Sequence, residues 1–373
     1  MQIPFIGTWY KDQYIYGNCA GCIQKKNVKK CRHQQKSKAI LATLTWEEIN
    51  FCKELGYIIL EVFETYLYSQ ERPIFRDFFQ LLSREKIKYS DYPGQNLDDY
   101  VNLINQQMNY APELQLKKED ISPNPMKRQY AKDNLNLLFG KFAQQNMRTK
   151  LLVVNSQQAI EKQNLKLISD IFPLRKSCLL VMKNLSKSVK HNRSANSIIY
   201  AHVLAKSRIF MYRTMQSVSK LATVYQISND SLYLSYPKQI SLNEILQLGS
   251  TFGTFRDEYP GMQITSFVSF GPKSSCTEMR DKYGNTSQIV KAKGFSLKNV
   301  NSQKIISSFN FQEAISNSLN GQKTNIIVPQ LRNVTNVSSL TINQILFMFR
   351  FSSYITDNRV IYSDGTTTAY GNQ

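Results

Sequence analysis

The 373-residue chain has no run of about 18 apolar residues. Its apolar stretches, Tyr57 to Val62 and Cys178 to Met182, are too short to cross a bilayer as helices, so no membrane partner is expected. The N-terminus, MQIPFIGTWYKD, lacks the basic, apolar and small-residue succession of a secretory leader, and an intracellular location is expected, with nucleus, cytoplasm and mitochondrion left open. Six cysteines in a long chain without a leader argue for reduced thiols or a metal site and against a disulfide framework. There is no internal repeat and no low-complexity linker, so the length implies two or three packed subdomains sharing a core. Acidic residues are also scarce. The 27 Asp and Glu face 47 Lys and Arg, and the net charge of +20 is spread from Lys25 to Arg359. That imbalance favours a polyanionic partner through counterion release, without separating nucleic acid from an anionic surface. An aromatic content of 12% argues for a packed globule over a disordered basic arm.

Residues 1 to 40 read as a loop-rich, Lys-rich stretch. TWEEINFCKELG then carries a capping-box pattern from Thr45 to Glu48 and closes on Gly56, which predicts a helix. Tyr57 to Tyr68, rich in β-branched and aromatic residues, predicts a strand. IFRDFFQLLSRE places Ile74, Phe75, Phe78, Phe79 and Leu82 on one helical stripe. Further helices are expected near Leu97 to Tyr110, from Pro125 with Asn124 as its cap, and from about Ala195 to Val218. Residues 151 to 186, including KSCLLVMKN, predict two or more strands. A hairpin is expected from TVYQI and SLYLSY, with its corner at Ser228 and Asn229. ITSFVSF and QIVKAKGF read as strands and LTINQILFMF as a helix.

Two sets of residues carry candidate chemistry. Cys19, Cys22, Cys31 and His33 put four soft or borderline ligands within fifteen residues, enough either to close a tetrahedral structural zinc site or to remain as unliganded thiols. On the helix from Pro125, Arg128, Lys132, Asn136 and Gly140 recur every four residues and share one face, while Leu135, Leu138 and Phe142 form another. Two cations one turn apart beside a glycine suit a polyphosphate, and on spacing alone the same residues describe a solvated basic face. His191 and His202 have no partner at ligand spacing.

Three segments in one order carry a resemblance. They are NPMKRQYAKDNLNLLFGKF (Asn124 to Phe142), VYQISNDSLYL (Val224 to Leu234) and GPKSSCTEMRDKYGNTSQIVKAKGF (Gly271 to Phe295). Together they resemble the C-terminal half of protein-primed family B DNA polymerases, the kind carried by viruses, linear organellar plasmids and Polinton-type transposons. The family's fingers motif, N-P-G-x-R-x-x-x-K-x-x-x-N-S-x-W/Y-G-K-F-G-Q, is matched at Asn124, Pro125, Arg128, Lys132, Asn136, Gly140, Lys141, Phe142 and Gln144. It is not matched at Met126, Leu137, Phe139 and Ala143. The palm motif Y-x-D-T-D-S aligns its second Asp with Asp230, its first with Ser228 and its Thr with Asn229. In the primer-gripping strands Lys273 and Lys293 are retained, while Ser275 and Thr277 stand where the family has tyrosines. The ending RVIYSDGTTTAYGNQ and the C-x-x-C then C-x-H element also have counterparts there.

The resemblance implies an α+β polymerase right hand, with a palm sheet, helical fingers and a small thumb, and with the exonuclease domain and first palm motif absent. Residues 1–73 would be a palm segment with a Cys/His-rich insertion and 74–150 the fingers; 151–297 would be the palm remainder and 298–373 the thumb. Arg128 and Lys132 would contact an incoming deoxynucleoside triphosphate, with Asn136 and Gly140 bordering the nascent base pair. Asp230 would hold Mg2+, and Lys273 and Lys293 would grip primer–template DNA. Two-metal phosphoryl transfer needs more than one carboxylate, so with Ser228 in place of an Asp the isolated chain is expected to be impaired or inactive. The chain would then be part of a split polymerase completed by a second chain, a truncated or decayed copy, or a non-catalytic DNA-binding protein derived from such an enzyme.

Overall fold

The computed structural model describes residues 3–69, 72–92, 96–143, 150–155, 157–158, 168–173, 177–182, 196–249, 252–271, 273–292, 307–320, 322, 324–336, 341–352, 358–362 and 366–372. Within them the chain is α+β, and its strands form six small antiparallel sheets. It opens on a hairpin of β1 (Gly7–Tyr10) and β2 (Gln13–Tyr16), whose turn holds Lys11 and Asp12 at φ 47° and 61°. Both angles are left-handed, as a two-residue turn needs if its twist is to match the strands. Short helices α1 (Ala20–Gln24) and α2 (Gln35–Lys38) follow, so the stretch read as loop has regular structure of its own.

The capping signals start the helices where the sequence places them. Thr45 accepts from the backbone of Glu48, and Glu48 reaches back to the Thr45 amide at 3.0 Å, opening α3 (Trp46–Glu54). After α4 (Arg76–Lys88) and α5 (Leu97–Met108), α6 (Pro125–Phe142) begins with Asn124 Oδ1 accepting from the Lys127 amide at 3.0 Å. Strands β3 (Lys150–Val154), β4 (Ile168–Pro173) and β5 (Cys178–Met182) form one sheet with β5 in the centre. The long helix α7 (Ser197–Val218) is capped by Asn196, and the hairpin of β6 (Thr223–Ser228) and β7 (Ser231–Ser235) follows. Its corner is Asn229–Asp230, one residue later than expected, with Asn229 at φ 51°. A single turn, α8 (Leu242–Ile245), precedes β8 (Met262–Gly271), β9 (Ser274–Asp281) and β10 (Thr286–Lys291), a meander with β9 in the middle. Helix α9 (Ser308–Leu319), the hairpin of β11 (Asn325–Asn336) and β12 (Thr341–Ser352), and the short pair β13 (Val360–Ile361) and β14 (Thr367–Thr368) complete the order.

Four expectations are corrected. LTINQILFMF is strand β12, not helix: an apolar run of that length suits either, and a twelve-residue ladder with β11 decides it. Tyr57 to Tyr68 is extended but pairs with no strand among the described residues, and its large side chains are exposed, Leu67 at 88%. High β-propensity makes a strand only where a second strand takes its backbone groups. On α4 the expected apolar stripe does not form the buried face. Ile74 is 64% exposed, Ser83 and Ile87 are buried, and Phe75 and Phe79 each meet one distant ring, Phe142 and Phe252. Lastly, no single palm sheet gathers the strands. The β6–β7 hairpin meets the β8–β10 sheet by stacking Tyr233 on Phe267, 4.2 Å apart, and not by a ladder.

The core is divided among several clusters. Phe5, Phe51 and Tyr212 pack edge-to-face, tying the N-terminus and α3 to α7, and Arg208 lies over the Phe5 ring while pairing with the buried Glu48 at 2.7 Å. Phe311 on α9 is fully buried against Val268, Cys276 and Val328. Ile87, Val101, Ile104, Tyr110 and Leu116 join α4 and α5, with Phe252 at their margin. A further cluster joins the two ends of the chain: Ile15, Cys19, Cys22 and Ile23 pack with Val360 and Tyr370.

Candidate functional site

Of the residues singled out in the sequence, the Cys/His quartet is the most tightly assembled. Cys19 caps α1 and its sulfur accepts from the Cys22 amide, so the first helical turn points both thiols one way. His33 Nδ1 lies 3.5, 3.3 and 3.7 Å from the sulfurs of Cys19, Cys22 and Cys31. All four ligand atoms fall within 4.8 Å of one another. A tetrahedral zinc with three sulfurs and one nitrogen spaces its ligand atoms roughly 3.5–3.8 Å apart, so the quartet fits such an ion. Burial pushes the Cys22 thiol up to about 12, and the Cys31 and Cys19 thiols add to that against a hydrogen bond from Asn27. Burial also acts to raise Cys31, but hydrogen bonds from the His33 backbone and ring and from the other two thiols prevail and bring it down to about 7. One ligand is therefore poised to be a thiolate near neutrality, the form that binds metal.

The far end of the chain closes over this loop. The Cys31 amide donates to the Gly371 carbonyl (3.0 Å), and the Gly371 amide donates to the Asn27 carbonyl (2.8 Å). Gly371 sits at φ +78°, and a Cβ there would fall 2.5 Å from the Cys22 sulfur. Only glycine can occupy this position without displacing a metal ligand.

On α6, Arg128 is half-buried and Lys132, Asn136 and Gly140 are exposed along the expected face. A side chain at Gly140 would meet nothing within 4 Å, so the space beside it is open. Arg128 Nε donates to Ser90 Oγ (3.0 Å), which in turn donates to the Lys86 carbonyl one turn back on α4 (2.6 Å). The Lys86 ammonium lies 4.4 Å from the centre of the Phe252 ring. Burial, and then the charges of Arg128, Lys132 and Arg256, hold its pKa below the usual lysine value. Among the described residues none of these four cations has a carboxylate within salt-bridge distance.

Asp230 is exposed in the β6–β7 turn. Among the described residues the Cys/His quartet is the only group of three or more metal-ligating side chains, so the donors around Asp230 do not fit a two-magnesium centre. Beside the hairpin lies a cavity of about 490 Å³, lined by Gln226, Ser228, Tyr233, Lys273, Ser275, Lys291 and Ala292. Lys273 stands at φ 58° in the turn between β8 and β9. Ser275 and Thr277 are buried on β9, and Gln226 Oε1 is buried without a hydrogen-bond donor among the described residues. Lys293 lies outside the described residues, as do Gln144 and His191. His202 is engaged by Glu47 at 2.9 Å.

Four contributors escape sequence reading. Lys86 and Arg256 belong to no motif, Lys291 is one of many strand lysines, and Gly371 lies far along the chain from the thiols it covers. The one signal within reach was the glycine in the terminal A-Y-G. Fold and site together define a basic α+β protein with a Cys3His cluster that could hold a metal ion such as zinc, and with two cationic sites. Compared with known proteins, the chain matches no family pattern, no curated protein and no solved structure.

Proposed function

We propose that the chain is the palm-remainder, fingers and thumb portion of a protein-primed family B DNA polymerase, binding primer–template duplex beside the β6–β7 hairpin and nucleoside triphosphate along α6. One observation carries this. Ser228 and Lys273, taken from two motifs matched separately, line one cavity together with Lys291. Two ammonium groups, two hydroxyls and the unpaired Gln226 carbonyl suit a backbone phosphate and an adjoining sugar or base edge, and such contacts position a strand without reading its sequence. In Mg2+-dependent synthesis the metal would supply charge neutralisation at the reacting phosphate; Asp230 offers it one carboxylate, and no step is routed through it here. The chain alone holds and orients but does not copy. The Cys/His quartet holds a structural zinc that fixes the N-terminal loop.

The single acid at the hairpin also favours a second reading, a non-catalytic DNA-binding protein derived from such an enzyme. Binding is tested by titrating a recessed-end duplex, a blunt duplex and heparin at several salt concentrations. Preference for the recessed end, weakened by Lys273→Ala, supports the proposal, and equal affinity for all three overturns it. The two readings separate when a second polypeptide bearing D-x-x-S-L-Y-P is added. Recovered primer extension identifies a split enzyme, and continued inactivity identifies the binder.

A further inference from the structure

Lys86 is the least expected cation in the molecule. It is half-buried on α4, its ammonium rests on the face of Phe252, and the nearby charges acting on it are all positive. Phe252 is itself held in place: Gln107 Nε2 donates to its carbonyl at 2.8 Å, and its ring faces Phe79 at 6.1 Å. Arg128 is anchored through Ser90 to the Lys86 turn of α4. Lys132 extends the same face of α6 by one turn, about 6 Å along the helix axis. Arg256 comes from the loop before β8. Three separate elements thus converge four cations with no neutralising acid among the described residues.

A free chain gains nothing from this arrangement, since burial and like charges both oppose the Lys86 ammonium. Solvated surface lysines separate from one another; these are fixed by hydrogen bonds and a ring. Perturbed cations converging without a counter-ion mark an anion site. Their spread over a helical turn suits consecutive phosphates better than one.

We infer that Lys86 and Arg256, with Arg128 and Lys132, form one polyphosphate-binding site spanning α4, α6 and the Phe252 loop, occupied by the triphosphate of a nucleotide. The inference rests on the proposed function for the identity of the nucleotide, but the phosphate chemistry stands on the four side chains alone.

The test uses the full chain and three probes: inorganic tripolyphosphate, a deoxynucleoside triphosphate and a recessed-end duplex, each titrated by calorimetry at fixed salt. Lys86→Met is expected to weaken tripolyphosphate and triphosphate binding about tenfold while leaving duplex affinity within twofold. Arg256→Gln should do the same, and Lys86→Arg should retain binding. With no ligand present, Lys86→Met should keep or raise the thermal midpoint, because it removes repulsion; a loss of midpoint together with unchanged affinity would mark Lys86 as merely structural. If Lys132→Ala weakens tripolyphosphate but Lys86→Met and Arg256→Gln do not, the four-cation site is wrong and the α6 reading survives. If tripolyphosphate binds as expected but no recessed-end preference exists, the site stands and the polymerase reading falls. A wild-type chain that fails to bind tripolyphosphate, or a Lys86→Met effect confined to duplex, overturns the inference.

Discussion

Replacing Gly371 by alanine tests whether the metal loop and the C-terminal segment are one unit. At φ +78° an L-residue costs about 1–2 kcal/mol relative to its ordinary backbone. The new Cβ would also stand 2.5 Å from the Cys22 sulfur, 3.0 Å from the Cys22 Cβ and 3.2 Å from the Cys31 Cβ. Neither cysteine can retreat, because Cys22 is fully buried and both sulfurs are drawn toward His33. The segment must move instead, and the bonds Gly371 N to Asn27 O and Cys31 N to Gly371 O go with it, each contributing about 1 kcal/mol. The sum is about 3–4 kcal/mol against docking of residues 366–372, or a loss of hydrogen-exchange protection of roughly two to three orders of magnitude, at 1.4 kcal/mol per tenfold. The assay is exchange mass spectrometry on zinc-loaded wild type and G371A, with zinc counted in parallel. Zinc should leave G371A faster under a chelator, and chelation of the wild type should expose the same peptide. Unchanged protection of residues 366–372 in G371A, or a chelated wild type whose tail stays protected, would refute the coupling.

Arg208→Met should destabilise the chain by about 3 kcal/mol in denaturant unfolding, since it strips Glu48, whose side chain is 7% exposed, of its counter-ion. The double variant Arg208→Met/Glu48→Gln should lose less than the two single losses added, because the stranded charge is gone; strict additivity would contradict this. Lys273→Ala and Lys291→Ala should each weaken duplex binding uniformly across sequences and lower the salt slope by about one, and a sequence-dependent loss would argue against phosphate contact. Phe311→Ala, at the fully buried centre of the α9 cluster, should cost about 3–5 kcal/mol, read from the same unfolding curves. Purified chain given Mg2+ and deoxynucleotides should not extend a primer, and measurable extension would show that Asp230 suffices.

Local signals transferred well wherever the physics is local. Thr45 with Glu48, Asn124 before Pro125, and the hairpin around Asn229 were legible because a cap or a turn is satisfied within four residues. The Cys/His quartet was legible for the same reason, its ligands lying within fifteen residues. Tyr57–Tyr68 and LTINQILFMF were misread because strand formation depends on a second strand, and nothing in either segment says whether one is present. On α4 the apolar periodicity was real but the buried face was set by what α5 and the Phe252 loop bring to Ser83 and Ile87.

By itself the sequence determined the charge, the thiol and imidazole ligands, the helix starts and the basic face of α6, because each follows from composition or from contacts a few residues apart. Only the tertiary structure decided that Gly371 seals the Cys/His loop, that Ser228 shares a cavity with Lys273, and that Lys86 and Arg256 join Arg128 and Lys132. Those contacts depend on how separate elements pack, and like charges in particular are brought together only when the packing around them outweighs their repulsion.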